Sequence, residues 1–227
     1  DAKDWNAADS LEVYEWDTGK YLGKIKQVAH TYKVIGNMNE NQVAIGETTC
    51  GGRDELQKPN GILDYGSLMY IALQRSKTAK EAIKVMSDLV TEYGYASEGE
   101  SMSVSDANEA WIFEIIGKGE KEKGAVWVAR KVPEGYICVH ANQARVREVP
   151  LNDKENCLYA PDLFTFAEKM GYWDSKSGKA FSYVDAYVPL TPEGLFLCEG
   201  RVWSIFRRAA PSQEKNFSAD YWRGVKD

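Results

Sequence analysis

The sequence predicts an α+β chain in which antiparallel strands joined by tight turns are combined with segregated helices. Apolar and β-branched runs separated by hairpin-type turns occupy residues 11–45 and 101–140. Helical patterns stand between those blocks and return after residue 160. The strands are linked by turns rather than by the helical crossovers that build parallel sheet.

Residues 11–16 alternate apolar and acidic side chains, Asp17-Thr18-Gly19 supplies turn chemistry, and 21–25 resumes the pattern, which predicts a hairpin. A second hairpin is predicted from 32–35 and 42–45 around the polar turn 36–41, feeding a glycine-rich loop at 46–52. The unbroken apolar stretch 67–73 carries a helix signal. Thr78, three residues ahead of Glu81, forms a capping-box arrangement that opens a helix with Ile83, Met86, Leu89, Val90 and Tyr93 on helical spacing, and Gly94 stops it. Strands are predicted at 101–104, 110–116 and 125–132, with a fourth at 136–140. Pro161 suits the first turn of a helix running toward Gly171, and a last helix spans 195–208 before Pro211. One domain over residues 1–210 is expected, followed by a polar tail, or the start of a further part, at 211–227. Trp111 and Trp127 on strands and Trp203 on the last helix read as core aromatics rather than a carbohydrate platform.

Composition narrows the function classes. With 44% hydrophobic residues in 227, the chain has the material for a real core. The formal charge of -6, from 34 acidic and 28 basic residues spread along the chain, argues against a nucleic-acid surface. The uncharged apolar stretches fall far short of the roughly 20 residues a membrane-spanning helix needs, so no membrane partner is expected; the compartment stays open. Cys50, Cys138, Cys157 and Cys198 lack CxxC spacing, and His30 and His140 are the only histidines, so no metal and no cofactor are expected.

The stretches most informative about chemistry are Asn-Met-Asn-Glu-Asn-Gln-Val-Ala-Ile-Gly-Glu-Thr-Thr at 37–49 and His-Ala-Asn-Gln at 140–143. With Val-Trp-Val-Ala-Arg-Lys-Val-Pro at 126–133, they resemble the cysteine-nucleophile dipeptidases among the N-terminal nucleophile hydrolases, relatives of choloylglycine hydrolases and penicillin V acylases. The Gly-Asn-Met-Asn-Glu hairpin at 36–40 and the Val-Ala-Ile-Gly-Glu-Thr-Thr run at 43–49 look like that superfamily's "GMNEKGLA" strand pair and its adjoining loop. The resemblance runs across nearly the whole chain. It implies a four-layer αββα sandwich with antiparallel sheets, and hydrolysis of amide bonds in small peptides.

In that family processing makes cysteine residue one, and its α-amino group serves as base for its own thiol. Residue one here is aspartate, so the nucleophile and its strand are expected upstream, leaving an internal fragment inactive by itself. The resemblance implies that Asn142 donates its side-chain amide to the tetrahedral oxyanion, with Thr48 contributing from the loop after the second hairpin, where the acylases carry asparagine. Asn142 also reads as a turn residue capping its own backbone, and Thr48 as an ordinary loop threonine. Arg201 looks like an acylase arginine that would hold a substrate carboxylate, or else forms a surface ion pair with Glu193 or Glu199. Glu47 is placed to take a substrate α-ammonium, against the plain alternative of a solvated glutamate. The partners implied are a small peptide and the remainder of the parent chain; a homo-oligomer is compatible with both. Two other readings stand beside this one: a binding module that kept the scaffold and lost the nucleophile, and a hydrolase with Cys50 as nucleophile, His140 as base and Asn142 as orienting group.

Overall fold

The computed structural model describes residues 2–6 and 8–212. β1 (Lys3–Asp4), β2 (Ser10–Tyr14), β3 (Tyr21–Lys26) and β4 (His30–Thr31) form two antiparallel ribbons, β1 with β4 and β2 with β3. β5 (Val34–Ile35), β6 (Met38–Asn39) and β7 (Ala44–Gly51) come next, then α1 (Tyr65–Arg75) and α2 (Ala79–Tyr93). The chain returns through β8 (Gly99–Ser105), β9 (Ala110–Gly117), β10 (Ala125–Lys131) and β11 (Cys157–Tyr159). It ends in α3 (Leu163–Lys169), α4 (Tyr183–Tyr187) and α5 (Gly200–Ala209), the last preceded by a π-helical stretch at Gly194–Glu199. Strands β5 to β11 build one antiparallel sheet in the order β11-β10-β9-β8-β7-β6-β5. The architecture is thus mixed, with antiparallel sheets, as the turn chemistry predicts.

Two helices are written clearly in the sequence. The Asp64 carboxylate caps α1 by accepting the Ser67 N–H at 3.1 Å, and it also accepts the Trp16 N–H at 2.7 Å, tying the first hairpin to the helix. Thr78 caps α2 by accepting the Glu81 N–H at 3.1 Å, while the Glu81 carboxylate reaches back to the Lys77 N–H at 2.7 Å. Ile83, Met86, Leu89 and Val90 are buried, worth roughly 1.5–3 kcal/mol each. Gly94, at φ +78°, ends the helix, and its backbone packs so closely on Gly61 that neither position has room for a Cβ.

Several expectations are corrected. The stretch 46–52 is not a loop, because β7 continues to Gly51 in register with β8, and Gly51 at φ +67° marks a bulge. β6 falls inside the expected turn 36–41. Residues 136–140 do not form a strand: the outer edge of β10 is taken by β11, with Val128 opposite Tyr159 and Arg130 opposite Cys157, so no strand partner is left for them there. Trp111 and Trp127 are buried, but Trp203 is 45% exposed. Of the expected tail, residues 213–227 lie outside the described residues.

The central sheet is covered on both faces. Trp111, Phe113 and Ile115 of β9 share a face with Val104, Met102 and Glu100 of β8, on the side of α2, where Lys80 lies 5.5 Å over Trp111. The opposite face carries Ile112, Glu114 and Ile116 with Ser101 and Ser103. Glu114 is fully buried in an otherwise apolar strand. Its carboxylate accepts the backbone N–H of Arg145, that of Val146 at 3.0 Å, and the Ser101 hydroxyl at 3.3 Å. A side chain thereby does for the covering segment what a strand would have done through its backbone.

Replacing that carboxylate should therefore loosen the cover. Glu114→Ala leaves two buried N–H groups unpaired and should cost about 3 kcal/mol or more of unfolding free energy, read as a lower urea midpoint. Glu114→Gln, which keeps the volume and one acceptor, should cost less. Equal midpoints for Glu114→Ala and the unaltered chain would contradict this role.

Candidate active site

The pinned segment brings Asn142 onto β7. Asn142 adopts φ +52°, a left-handed conformation that asparagine tolerates better than most residues. Its backbone N–H donates to the Thr48 hydroxyl oxygen at 3.0 Å, and its side-chain Nδ2 donates to the Thr49 carbonyl at 2.7 Å. Its Oδ1 accepts from Arg201 Nη2 at 3.0 Å. Arg201 in turn donates through Nε to the Leu197 carbonyl at 2.7 Å and through Nη2 to the Ala141 carbonyl at 3.4 Å. Three of the four residues singled out in the sequence are therefore in direct contact, although they lie on β7, an irregular turn and α5.

The donor inventory of this cluster is incomplete in a useful way. An asparagine amide has two N–H donors, and one is used on Thr49. The Thr48 hydroxyl accepts from Asn142 and retains its own proton to donate. Because Arg201 holds the Oδ1 end, the Nδ2 end of the amide has a defined direction. Arg201 makes no ion pair with Glu193 or Glu199 among the described residues; Glu199 is instead paired, out of solvent, with Arg145 Nη1. That buried pair docks the start of α5 on the pinned segment, and Val202 and Phe206 pack on Ala141 and Val139.

Glu47 lies elsewhere. Strand alternation puts it opposite Met102 and on the face of Glu100 and Thr49, away from Thr48. The Thr49 hydroxyl donates to Glu100 at 3.0 Å. Burial, and next the Glu47 carboxyl beside it, push Glu100 up to about 9.

His140 and Cys50 are not arranged as an activated pair. His140 Nε2 is hydrogen-bonded to Ser103 Oγ at 2.7 Å, and its Nδ1 is buried without a partner. Burial, and then the Arg145 charge, lower His140 to about 4, so it is neutral. Burial, followed by Glu114 and Glu100, raises the Cys50 thiol well above its ordinary range, the reverse of what a thiolate nucleophile needs. Among the described residues no two cysteines are joined in a disulfide, and no group of three or more His, Cys, Asp or Glu side chains is arranged to hold a metal ion. No helix among them is long and apolar enough to cross a membrane.

Sequence reasoning missed Glu114, Arg145 and Ser103, and named Glu199 only as a partner for Arg201. A signal existed for the first, since a glutamate inside Trp-Ile-Phe-Glu-Ile-Ile is a charge that must be paired if the strand is buried. Arg145 stands among ordinary polar residues and Glu199 at the end of the apolar run 195–198, and nothing in their spacing couples them.

The family model described as Peptidase family C69 matches residues 9–221. The chain belongs to peptidase family C69. It is 35% identical over 136 residues to a probable dipeptidase of Latilactobacillus sakei, covering 57% of this chain and 27% of that protein. A probable dipeptidase of Salmonella dublin is 25% identical over 216 residues, 87% of this chain and 48% of the relative. Probable dipeptidase B of Streptococcus pyogenes serotype M1 is 30% identical over 157 residues, 66% of this chain and 30% of the relative. The chain thus spans less than half the length of these curated C69 relatives.

The pin beneath the Asn142 cluster carries a pH signature. Burial raises Glu114 to about 7 from an ordinary 4.5, while the Arg145 and Val146 N–H groups pull it back in part. A raised carboxyl stabilises the fold fully below its unfolded value and loses that contribution as pH rises through its folded value. The difference in unfolding free energy between the unaltered chain and Glu114→Gln should therefore shift against the unaltered chain by on the order of 3 kcal/mol between pH 4 and 8. Taking the difference cancels His140, which acts in the opposite sense on the acid side. A pH-independent difference by urea titration would place the Glu114 carboxyl in its ordinary range.

Proposed function

We propose that this chain is the oxyanion-side part of a dipeptidase-type amidohydrolase whose nucleophile, an N-terminal cysteine, lies outside its sequence. The observation that carries the reading is the Asn142–Thr48–Arg201 cluster, in which an oriented amide N–H and a hydroxyl proton are both left available at one point of β7. The names of the C69 relatives support a small peptide as substrate. In this reading the thiol attacks the peptide carbonyl, the cysteine α-amino group takes the thiol proton, and Asn142 Nδ2–H and the Thr48 hydroxyl donate to the oxyanion. The same α-amino group returns a proton to the leaving amine. Arg201 fixes the Asn142 amide through Oδ1 and presents Nη1 for a substrate carboxylate.

An unfinished sheet edge fits the same assignment. β6 pairs with β7 only at Ala44, so from Gly46 to Gly51 the outer edge of β7 has no strand beside it among the described residues. A nucleophile-bearing strand laid there would reach the cluster directly, and a second sheet layer would complete a four-layer αββα sandwich. A scaffold that has lost its nucleophile is the alternative. The Cys50–His140 hydrolase is disfavoured by the raised Cys50 thiol and by the engagement of His140 with Ser103.

Purified 227-residue chain should show no turnover of dipeptides, whereas a parent protein whose mature chain begins with cysteine should show it. In that parent, Asn142→Ala should lower kcat by on the order of a hundredfold with an unchanged melting temperature, because an oxyanion donor acts mainly in the transition state. A lowered melting temperature with normal kcat for the folded fraction would instead make Asn142 a turn residue. Turnover by the isolated chain that vanishes in Cys50→Ala would replace the whole reading.

A further inference from the structure

The other face of β7 holds a second polar site. A cavity of about 310 Å³ opens between the end of β7, the start of β8 and the start of α1, and Glu15, Asp17, Glu98 and Glu100 line it together with Tyr65 and Thr49. Glu47 adjoins Glu100 from β7. Among the described residues no lysine, arginine or histidine lines the cavity, and none of these five carboxyl groups forms an ion pair. What they do accept comes from neutral hydroxyls: Thr18 on Glu15, Tyr65 on Asp17 at 3.1 Å, and Thr49 on Glu100 at 3.0 Å.

Acidic residues grouped at a surface are commonly solvated, but Glu100 is not. It is 1% exposed, and its Oε2 is buried with no hydrogen-bond donor. A carboxyl oxygen in that position lacks a positive or N–H partner that the described residues do not provide. The arrangement also discriminates between cations. No three of the carboxyl groups converge closely enough for a metal ion, whereas a primary ammonium, with three N–H donors, matches acceptors spread over a cavity wall.

We propose that this cavity binds a primary ammonium group, with Glu100 and Glu47 as its principal acceptors. Identifying that ammonium as the free α-amino terminus of a short peptide rests on the peptide-hydrolase reading; the ammonium site itself does not. Thr49 joins the two sites, since its hydroxyl serves Glu100 while its carbonyl takes Asn142 Nδ2. Burial, and next the Glu47 carboxyl beside it, hold Glu100 above the ordinary carboxylate range, and a cation set between the two carboxyl groups offsets both effects.

The test is a titration of the 227-residue chain with glycylglycine, N-acetylglycylglycine and calcium chloride, followed by the amide NMR signals of Thr49, Tyr65 and Glu100. Glycylglycine should shift these signals saturably, and the N-acetylated peptide, which lacks the ammonium, should leave them unmoved. Glu100→Gln should weaken glycylglycine binding at least tenfold. If that variant fails to fold, Glu47→Gln on the half-exposed neighbour should weaken it at least threefold. Equal shifts with the acetylated peptide, unchanged binding in the folded variants, or tighter binding of calcium at the same signals would each overturn the proposal. Ammonium-dependent binding alongside an inactive cysteine-initiated parent would leave this site standing and remove the dipeptidase reading. Turnover by the parent without such binding would do the reverse.

Discussion

A single buried carboxylate organises the side of the sheet on which the candidate site lies. Glu114 stands at the middle of β9, where neighbouring strands occupy both edges and no water is at hand. A carboxylate there is costly unless its oxygens are satisfied. The donors that satisfy it are two consecutive backbone N–H groups, of Arg145 and Val146, and a serine hydroxyl from β8. The irregular segment around residues 141–148 is thereby held flat on the sheet at a chosen register. Asn142, three residues before the pin, then meets Thr48 and Thr49.

The pin extends outward through charge. Arg145 pairs with Glu199 out of solvent, and Glu199 immediately precedes α5, the helix that carries Arg201. A buried pair of this kind adds little net stability over an apolar alternative, but breaking it by removing one partner is expensive. Its consequence here is placement: α5 is held where Arg201 reaches the Asn142 oxygen at 3.0 Å. Packing of Val202 and Phe206 on Ala141 completes the attachment.

β7 divides two chemistries between its faces. Thr48 turns toward the pinned segment with its hydroxyl, while Glu47 and Thr49 turn toward Glu100. The first face offers hydrogen-bond donors and a guanidinium, fit for developing negative charge. The second offers carboxyl acceptors and repels anions. A strand with period two is the simplest scaffold that can hold opposite electrostatic preferences at adjacent residues, and beyond Ala44 its outer edge has no strand beside it among the described residues.

Local chemistry was legible where local rules decide. The first hairpin, the Thr78–Glu81 cap, the Gly94 stop and the apolar strands β9 and β10 follow from local pattern alone, whereas the C69 character of the motifs at 37–49 and 140–143 was read from their resemblance to known sequences. Glycines misled at 46–52, because there they serve a bulged strand rather than a loop. The segment 136–140 has strand-forming residues, but whether a strand forms depends on a free edge beside it, and at β10 that edge is held by β11. The sequence by itself thus determined the antiparallel class, the helices α1, α2, α3 and α5 but not α4, and the identity of Asn142, Thr48 and Arg201 as residues of interest. Only the tertiary structure decided that these three meet and that Glu47 faces away from them. Their meeting depends on Glu114, Arg145 and Glu199, whose pairings span 31 and 54 positions along the chain. No periodicity encodes contacts of that range, since they arise from the need to satisfy buried polar groups once the sheet has formed.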